Sequence, residues 1–145
     1  KVNQTNQPYT KEDLPIGSER ILFIDDDAAI AKIGSQHLEK LGYSVTAMTS
    51  SKRALNLFQS NAYAFDLVIT DMTMPGLTGD KLADELIKIR QDTPVIVCTG
   101  YSKRISVQTA TKIGIKELVY KPLDRAELAK TVRKVLDDFQ IEHQG

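Results

Sequence analysis

A chain of 145 residues, 41% hydrophobic and 26% charged, is the size of one domain and too apolar to be disordered. Its 19 Lys and Arg cancel its 19 Asp and Glu, so it has no global basic field with which to hold nucleic acid or an anionic membrane. A single Cys excludes an intrachain disulfide and any Cys-built zinc site, and the apolar runs Leu67–Ile69 and Val95–Cys98 are too short to span a bilayer; with no signal-peptide pattern at the start, these features point to the cytoplasm.

Lys1–Glu19 reads as a leader or interdomain linker, rich in Asn, Gln and Thr and without a sustained apolar period. Folded structure is expected over residues 20–140, followed by a short tail at 141–145. The strand candidates, in chain order, are Ile21–Ile24, Ser44–Met48, Leu67–Thr70, Val95–Cys98 and Glu117–Tyr120. The first, third and fourth are continuous apolar runs, the pattern of central parallel strands covered on both faces. Between them lie helical stripes. Ile30, Ile33, His37, Leu38 and Leu41 mark the first, ended by Gly42; Leu55 and Phe58 mark the second, and Leu82, Leu86 and Ile89 the third. A fourth helix is expected over Lys103–Ile113, stopped by Gly114. The fifth opens with a capping-box pattern, Asp124 and Glu127, and carries Leu128, Val132, Val135, Leu136 and Phe139. Five such units predict an α/β sandwich around a parallel sheet with right-handed crossovers.

In an open parallel sheet, ligands bind beyond the carboxyl ends of the strands. The residues found there are Asp25, Asp26 and Asp27 after the first strand, Asp71 after the third, Thr99 after the fourth and Lys121 after the fifth. Carboxylates gathered in one pocket repel one another and stay ionised only if something cationic offsets them. One ammonium, Lys121, is too little for that, which argues for a hard divalent cation with oxygen ligands; Mg²⁺ suits one or two carboxylates plus a phosphate. An Asp carboxylate is a competent nucleophile toward phosphorus. Each residue alone has a plainer reading: Asp27 as a helix N-cap, Thr99 as a loop start, Lys121 before Pro122 as a strand end. Their convergence at four strand ends favours the chemical reading.

These blocks resemble a response-regulator receiver domain of two-component signalling. The resemblance covers Arg20 to about Gln140. It rests on Ile21-Leu22-Phe23-Ile24-Asp25-Asp26-Asp27, Asp66-Leu67-Val68-Ile69-Thr70-Asp71-Met72-Thr73-Met74-Pro75-Gly76, Val95-Ile96-Val97-Cys98-Thr99-Gly100 and Lys121-Pro122-Leu123. It implies a flavodoxin-like (βα)5 three-layer sandwich with strand order 2-1-3-4-5. It also implies Asp71 as the phosphoacceptor, with Mg²⁺ held by the side chains of Asp26 and Asp71, by the backbone carbonyl of Thr73, and by Asp25 through water. Thr99 and Lys121 would contact the phosphoryl group, and the Lys121–Pro122 bond would be cis.

The implied partner is a histidine kinase or histidine phosphotransfer domain, and the domain itself would touch neither nucleic acid nor membrane. Two contexts are open, a stand-alone regulator or a receiver cut from a hybrid sensor histidine kinase or a larger regulator; the absent initiator Met and the linker-like start favour the second, whose kinase or output domain would lie outside this segment. A competing class is an aspartyl-phosphate phosphatase or phosphotransferase acting on small molecules through Asp71. His37 could be a phosphodonor or an ordinary helix residue, and Cys98 reads as a small buried hydrophobe. One departure stands out. Many receivers carry an aromatic residue three positions before the Lys, where this chain has Leu118: either Leu118 is simply a buried apolar residue, or the rearrangement of the fourth helix and fifth strand on phosphorylation is smaller.

Overall fold

Strands and helices alternate strictly in the computed structural model, which describes residues 14–100 and 105–144. The elements are β1 (Arg20–Ile24), α1 (Ala28–Lys40), β2 (Ser44–Met48), α2 (Ser51–Ser60), β3 (Leu67–Asp71), α3 (Gly79–Ile89), β4 (Val95–Thr99), α4 (Val107–Ile113), β5 (Glu117–Tyr120) and α5 (Arg125–Glu142). All pairings are parallel, and the order across the sheet is β2-β1-β3-β4-β5, as the resemblance implies.

Register explains why the central strands are apolar throughout. Phe23 lies beside Ile69, Ile69 beside Ile96, and Cys98 beside Val119, so these side chains share one face. There they form a core with Leu38 of α1 and Leu128, Val132 and Leu136 of α5. The alternate residues Leu22, Ile24, Val68, Val95 and Val97 point the other way, onto Phe58 of α2 and Leu82 and Leu86 of α3. Helices thus cover both faces, and a strand there has no solvent side on which to place a polar residue.

Three helix readings change. On α1 the buried face is Ala31, Gly34, Ser35 and Leu38; of the expected stripe, Leu38 and Leu41 are buried, while Ile30, Ile33 and His37 are not. Ile33 is 52% exposed. The reason is close approach: a Cβ on Gly34 would collide with the ring of Phe23, so the small residues turn toward the sheet. On α3, Leu82, Ala83 and Leu86 are buried, while Ile89 at the last turn is exposed. The fourth helix starts at Val107, with the Ser106 hydroxyl accepting from the Thr109 amide. Lys103 and Arg104, read as its first residues, lie outside the described residues. Gly114, at φ 106°, ends α4 in the left-handed region that favours glycine. α5 begins as expected, with the Asp124 carboxylate accepting from the Glu127 amide, and runs on through Glu142.

Residues 1–13 of the leader also lie outside the described residues. Its remainder is packed against the fold, with Leu14 only 7% exposed and part of the core on the α1 and α5 side. No helix among the described residues is long and apolar enough to cross a membrane.

Candidate functional site

The carboxyl ends of β1, β3, β4 and β5 deliver four charged or hydroxyl side chains to one edge of the sheet. Asp25 directly follows β1, Asp71 and Thr99 close β3 and β4, and Lys121 directly follows β5. Carboxylate oxygens of Asp25, Asp26 and Asp71 all lie within 4.8 Å of one another. Asp25 and Asp71 are buried and Asp26 is exposed, so the cluster opens to solvent on the Asp26 side. Lys121 Nζ sits 3.0 Å from Asp25 Oδ2 and 2.8 Å from Asp71 Oδ1. The Lys121–Pro122 peptide bond is cis.

Local backbone contacts hold this geometry. The Lys121 amide donates to the Thr99 carbonyl at 2.9 Å, tying the ends of β4 and β5 together, and the Met72 amide donates to the Cys98 carbonyl at 2.8 Å. The Asp25 carboxylate accepts from the Asp27 amide at 2.9 Å. Asp27 takes the plainer of its two readings. Its carboxylate caps α1, accepting from the amides of Ala29 and Ile30. Thr99 is buried, and its hydroxyl donates to the Gly100 carbonyl at 3.2 Å. Thr73 is exposed in the loop after β3.

The electrostatics describe a site short of positive charge. Burial pushes the Asp71 carboxyl above its ordinary range, and the charges of Asp25 and Asp26 add to that, outweighing the hydrogen bond from Lys121. Burial opposes the charged Lys121 ammonium, but its hydrogen bonds to Asp71 and Asp25 prevail and hold its pKa above that of an ordinary lysine. A group of oxygen donors with surplus negative charge is the donor set a hard divalent cation takes. Burial pushes the neighbouring Cys98 thiol up to about 12, so it stays protonated and acts as an apolar filler.

Two features of the site were not read from the sequence. Gly79, the first residue of α3, donates its amide to the Met72 carbonyl at 2.7 Å, and a Cβ there would run into the Asp71 carbonyl oxygen and, at 2.8 Å, into Met72 Cα. The signal available was a Gly where a helix begins, which alone says little. We expect Gly79→Ala to shift the Asp71 backbone, to destabilise the fold by about 1–3 kcal/mol and to slow phosphorylation, as read by urea denaturation and by intact-mass kinetics with acetyl phosphate. The second feature is an apolar groove beside the site, lined by Ile30, Ile33, Gly34, His37, Pro122 and Leu123. His37 belongs to this groove rather than to the acidic cluster, and burial lowers its pKa. Leu118 lies on the opposite face of β5 from Val119 and packs, half-buried, with the α2, α3 and α4 core.

The family model described as the response regulator receiver domain matches residues 21–133. The chain belongs to this family. The two-component response regulator ARR10 of Arabidopsis thaliana is 35% identical over 131 residues; the match takes in 90% of this chain and 23% of the plant protein. The chain therefore spans about a quarter of that relative's length. Among solved structures, a response regulator receiver domain protein from Clostridium thermocellum superposes with a TM-score of 0.81 at 31% identity, over 86% of this chain and 98% of that one. A response regulator protein from Thermotoga maritima, solved in complex with Mg²⁺–BeF, superposes with a TM-score of 0.72 at 32% identity, over 81% of this chain and 98% of that one. The receiver fold and family membership replace the reading of the chain as a small-molecule phosphatase. Receiver domains of this kind bind Mg²⁺ at an acidic cluster, and the carboxylates of Asp25, Asp26 and Asp71 fit that requirement.

Proposed function

We propose that Asp71 is the phosphoacceptor of this receiver domain. The reading rests on one observation: a buried carboxylate at the end of β3, with a lysine 2.8 Å away and two further carboxylates within 4.8 Å. The donor would be a phosphohistidine on a histidine kinase or histidine phosphotransfer domain, met in the cytoplasm. An Asp71 oxygen attacks phosphorus, the P–N bond breaks, and its electron pair returns to the imidazole.

Asp25, Asp26 and Asp71 would hold Mg²⁺, joined by the backbone carbonyl of Thr73. When bound, the ion supplies positive charge toward the phosphoryl oxygens that Lys121 alone cannot. Lys121 pairs with Asp71 at rest and turns to a phosphoryl oxygen once the acyl phosphate forms. The Thr99 hydroxyl would then leave the Gly100 carbonyl for another phosphoryl oxygen. With Leu118 in place of an aromatic ring, the response at α4 and β5 would be small, and the output would rest on the loops nearest the phosphate.

The test is phosphorylation of the 145-residue chain by acetyl phosphate. One phosphoryl mass should be gained with Mg²⁺ and none with excess chelator, while the far-ultraviolet circular dichroism stays the same. Lys121→Ala should still show Mg²⁺-dependent chemical-shift changes at the acidic cluster. Its chemical-shift response to beryllofluoride should fall at least about fivefold, because the group that reads the phosphoryl oxygens is gone. Mass gain that persists in chelator, or that maps to His37, would overturn the assignment.

A further inference from the structure

The segment ahead of β1 has features that a linker does not need. Leu14 is buried in the α1 and α5 core. The Gly17 amide donates to the Leu41 carbonyl at 3.1 Å, taking up one of the backbone acceptors that the end of α1 leaves unpaired. Arg133, halfway along α5, reaches across this segment. Its guanidinium donates to the Ile16 carbonyl at 3.2 Å and to both carboxylate oxygens of Glu19, at 3.2 and 2.7 Å, and it also meets the Tyr43 hydroxyl at 3.3 Å and Asp137 at 3.0 Å. A two-pronged Arg–carboxylate pair of this kind fixes orientation as well as distance.

The crossing point is built for close approach. A Cβ on Gly17 would collide with the Tyr43 ring and, at 2.5 Å, with the Arg133 guanidinium. Gly42, at φ +107°, lies against the Gly17 carbonyl oxygen, where a Cβ would also collide. Two glycines thus let the incoming backbone lie directly on the α1–β2 corner, where any larger residue would hold it off.

We propose that Leu14–Glu19 is a strap that fastens the chain entering β1 to α5 and to the α1–β2 corner, so that the polypeptide arrives at the domain at a fixed point, Leu14, rather than at the start of β1. The strap lies at the end of the sheet where β1 begins, while Asp25 and Asp71 lie at the other end, so it holds the incoming chain without covering the phosphorylation site.

The experiment follows the strap directly in the 145-residue chain. Ile16, 68% exposed, is replaced by Cys and labelled with a fluorophore; Cys98 is buried and does not compete. We expect the label's anisotropy decay to report tumbling with the whole domain, and amide exchange over residues 14–19 to be slowed at least tenfold relative to the released variants. Arg133→Ala removes the fork and Gly17→Val blocks the crossing from the other side. Each should free the label and remove the protection over 14–19, while β3 and β4 stay protected and Asp71 is still phosphorylated. Free label motion in the parent chain would overturn the proposal. So would variants that leave the label fixed. If both variants lose protection throughout β1 and β3, the segment is an ordinary part of the core and the strap is refuted. Asp71 phosphorylation is read separately, so failure of the strap does not touch the site.

Discussion

Asp71→Asn should lower the rate of phosphorylation by acetyl phosphate more than about a thousandfold, because a neutral amide replaces the nucleophilic carboxylate while the pocket keeps its shape. The same substitution should raise the melting temperature of the metal-free protein at neutral pH. Burial, aided by Asp25 and Asp26, lifts the Asp71 carboxyl above its ordinary 3.8, so the folded state favours the neutral group. A carboxyl shifted upward contributes stability that is present below 3.8 and lost as pH rises through its raised folded value. Asn keeps the neutral state at every pH. The variant should therefore melt higher at pH 7 in chelator, converge with the parent in acid, and lose its advantage when Mg²⁺ is added to both. Paired thermal melts at two pH values, with and without Mg²⁺, measure this. An equal or lower melting temperature at pH 7 in chelator would mean that the Lys121 bridge fully offsets the burial of Asp71.

Phe23→Ala should cost about 3–5 kcal/mol, a large share of the roughly 5–15 kcal/mol that holds a domain of this size together. Phe23 is 2% exposed, its ring fills the gap left by Gly34, and it sits in the middle of β1 between α1 and the neighbouring strand. The cavity would close poorly, because the C-terminal end of α1 is tied to the leader through the Leu41 carbonyl, which accepts from Gly17. Ile33→Ala is the matching control. The stripe read from sequence makes Ile33 a core residue costing about 2–5 kcal/mol, whereas its 52% exposure predicts a change within about 0.5 kcal/mol. Urea denaturation of the three proteins decides between them through the shift in midpoint at constant slope.

Arrangements carried by local pattern were legible. Continuous apolar runs announce strands covered on both faces, which is why β1, β3 and β4 were found to within one residue at each end. The polar residues closing those runs announce the site, since side chains at the carboxyl ends of parallel strands must crowd into one crevice. Asp25, Asp26, Asp71 and Lys121 are brought together as that reasoning requires. The strand order came from the likeness of these blocks to a known family, not from periodicity, because nothing in the local pattern of β2 says which edge it joins.

What tertiary structure alone decided is where small residues matter and which half of an amphipathic helix faces inward. Hydrophobicity read along α1 selected Leu38 and Leu41, which are buried, together with Ile30, Ile33 and His37, which are not. Packing selected Ala31, Gly34 and Ser35, because a helix gains more by lying close against Phe23 than by inserting large side chains that would hold it away. The same physics hid Gly79, whose missing Cβ leaves room for the Asp71 backbone, and Gly17, whose missing Cβ lets the leader cross beneath Arg133. Residues 14–19 look like a linker because they lack a period; they are held by long-range partners on α1, β2 and α5 that lie far away in sequence. Length, charge balance, strand count and the chemistry of the strand ends are written in the chain itself. The helix rotation, the glycine contacts and the fastening of the leader exist only after distant segments meet, because each depends on the space another segment leaves.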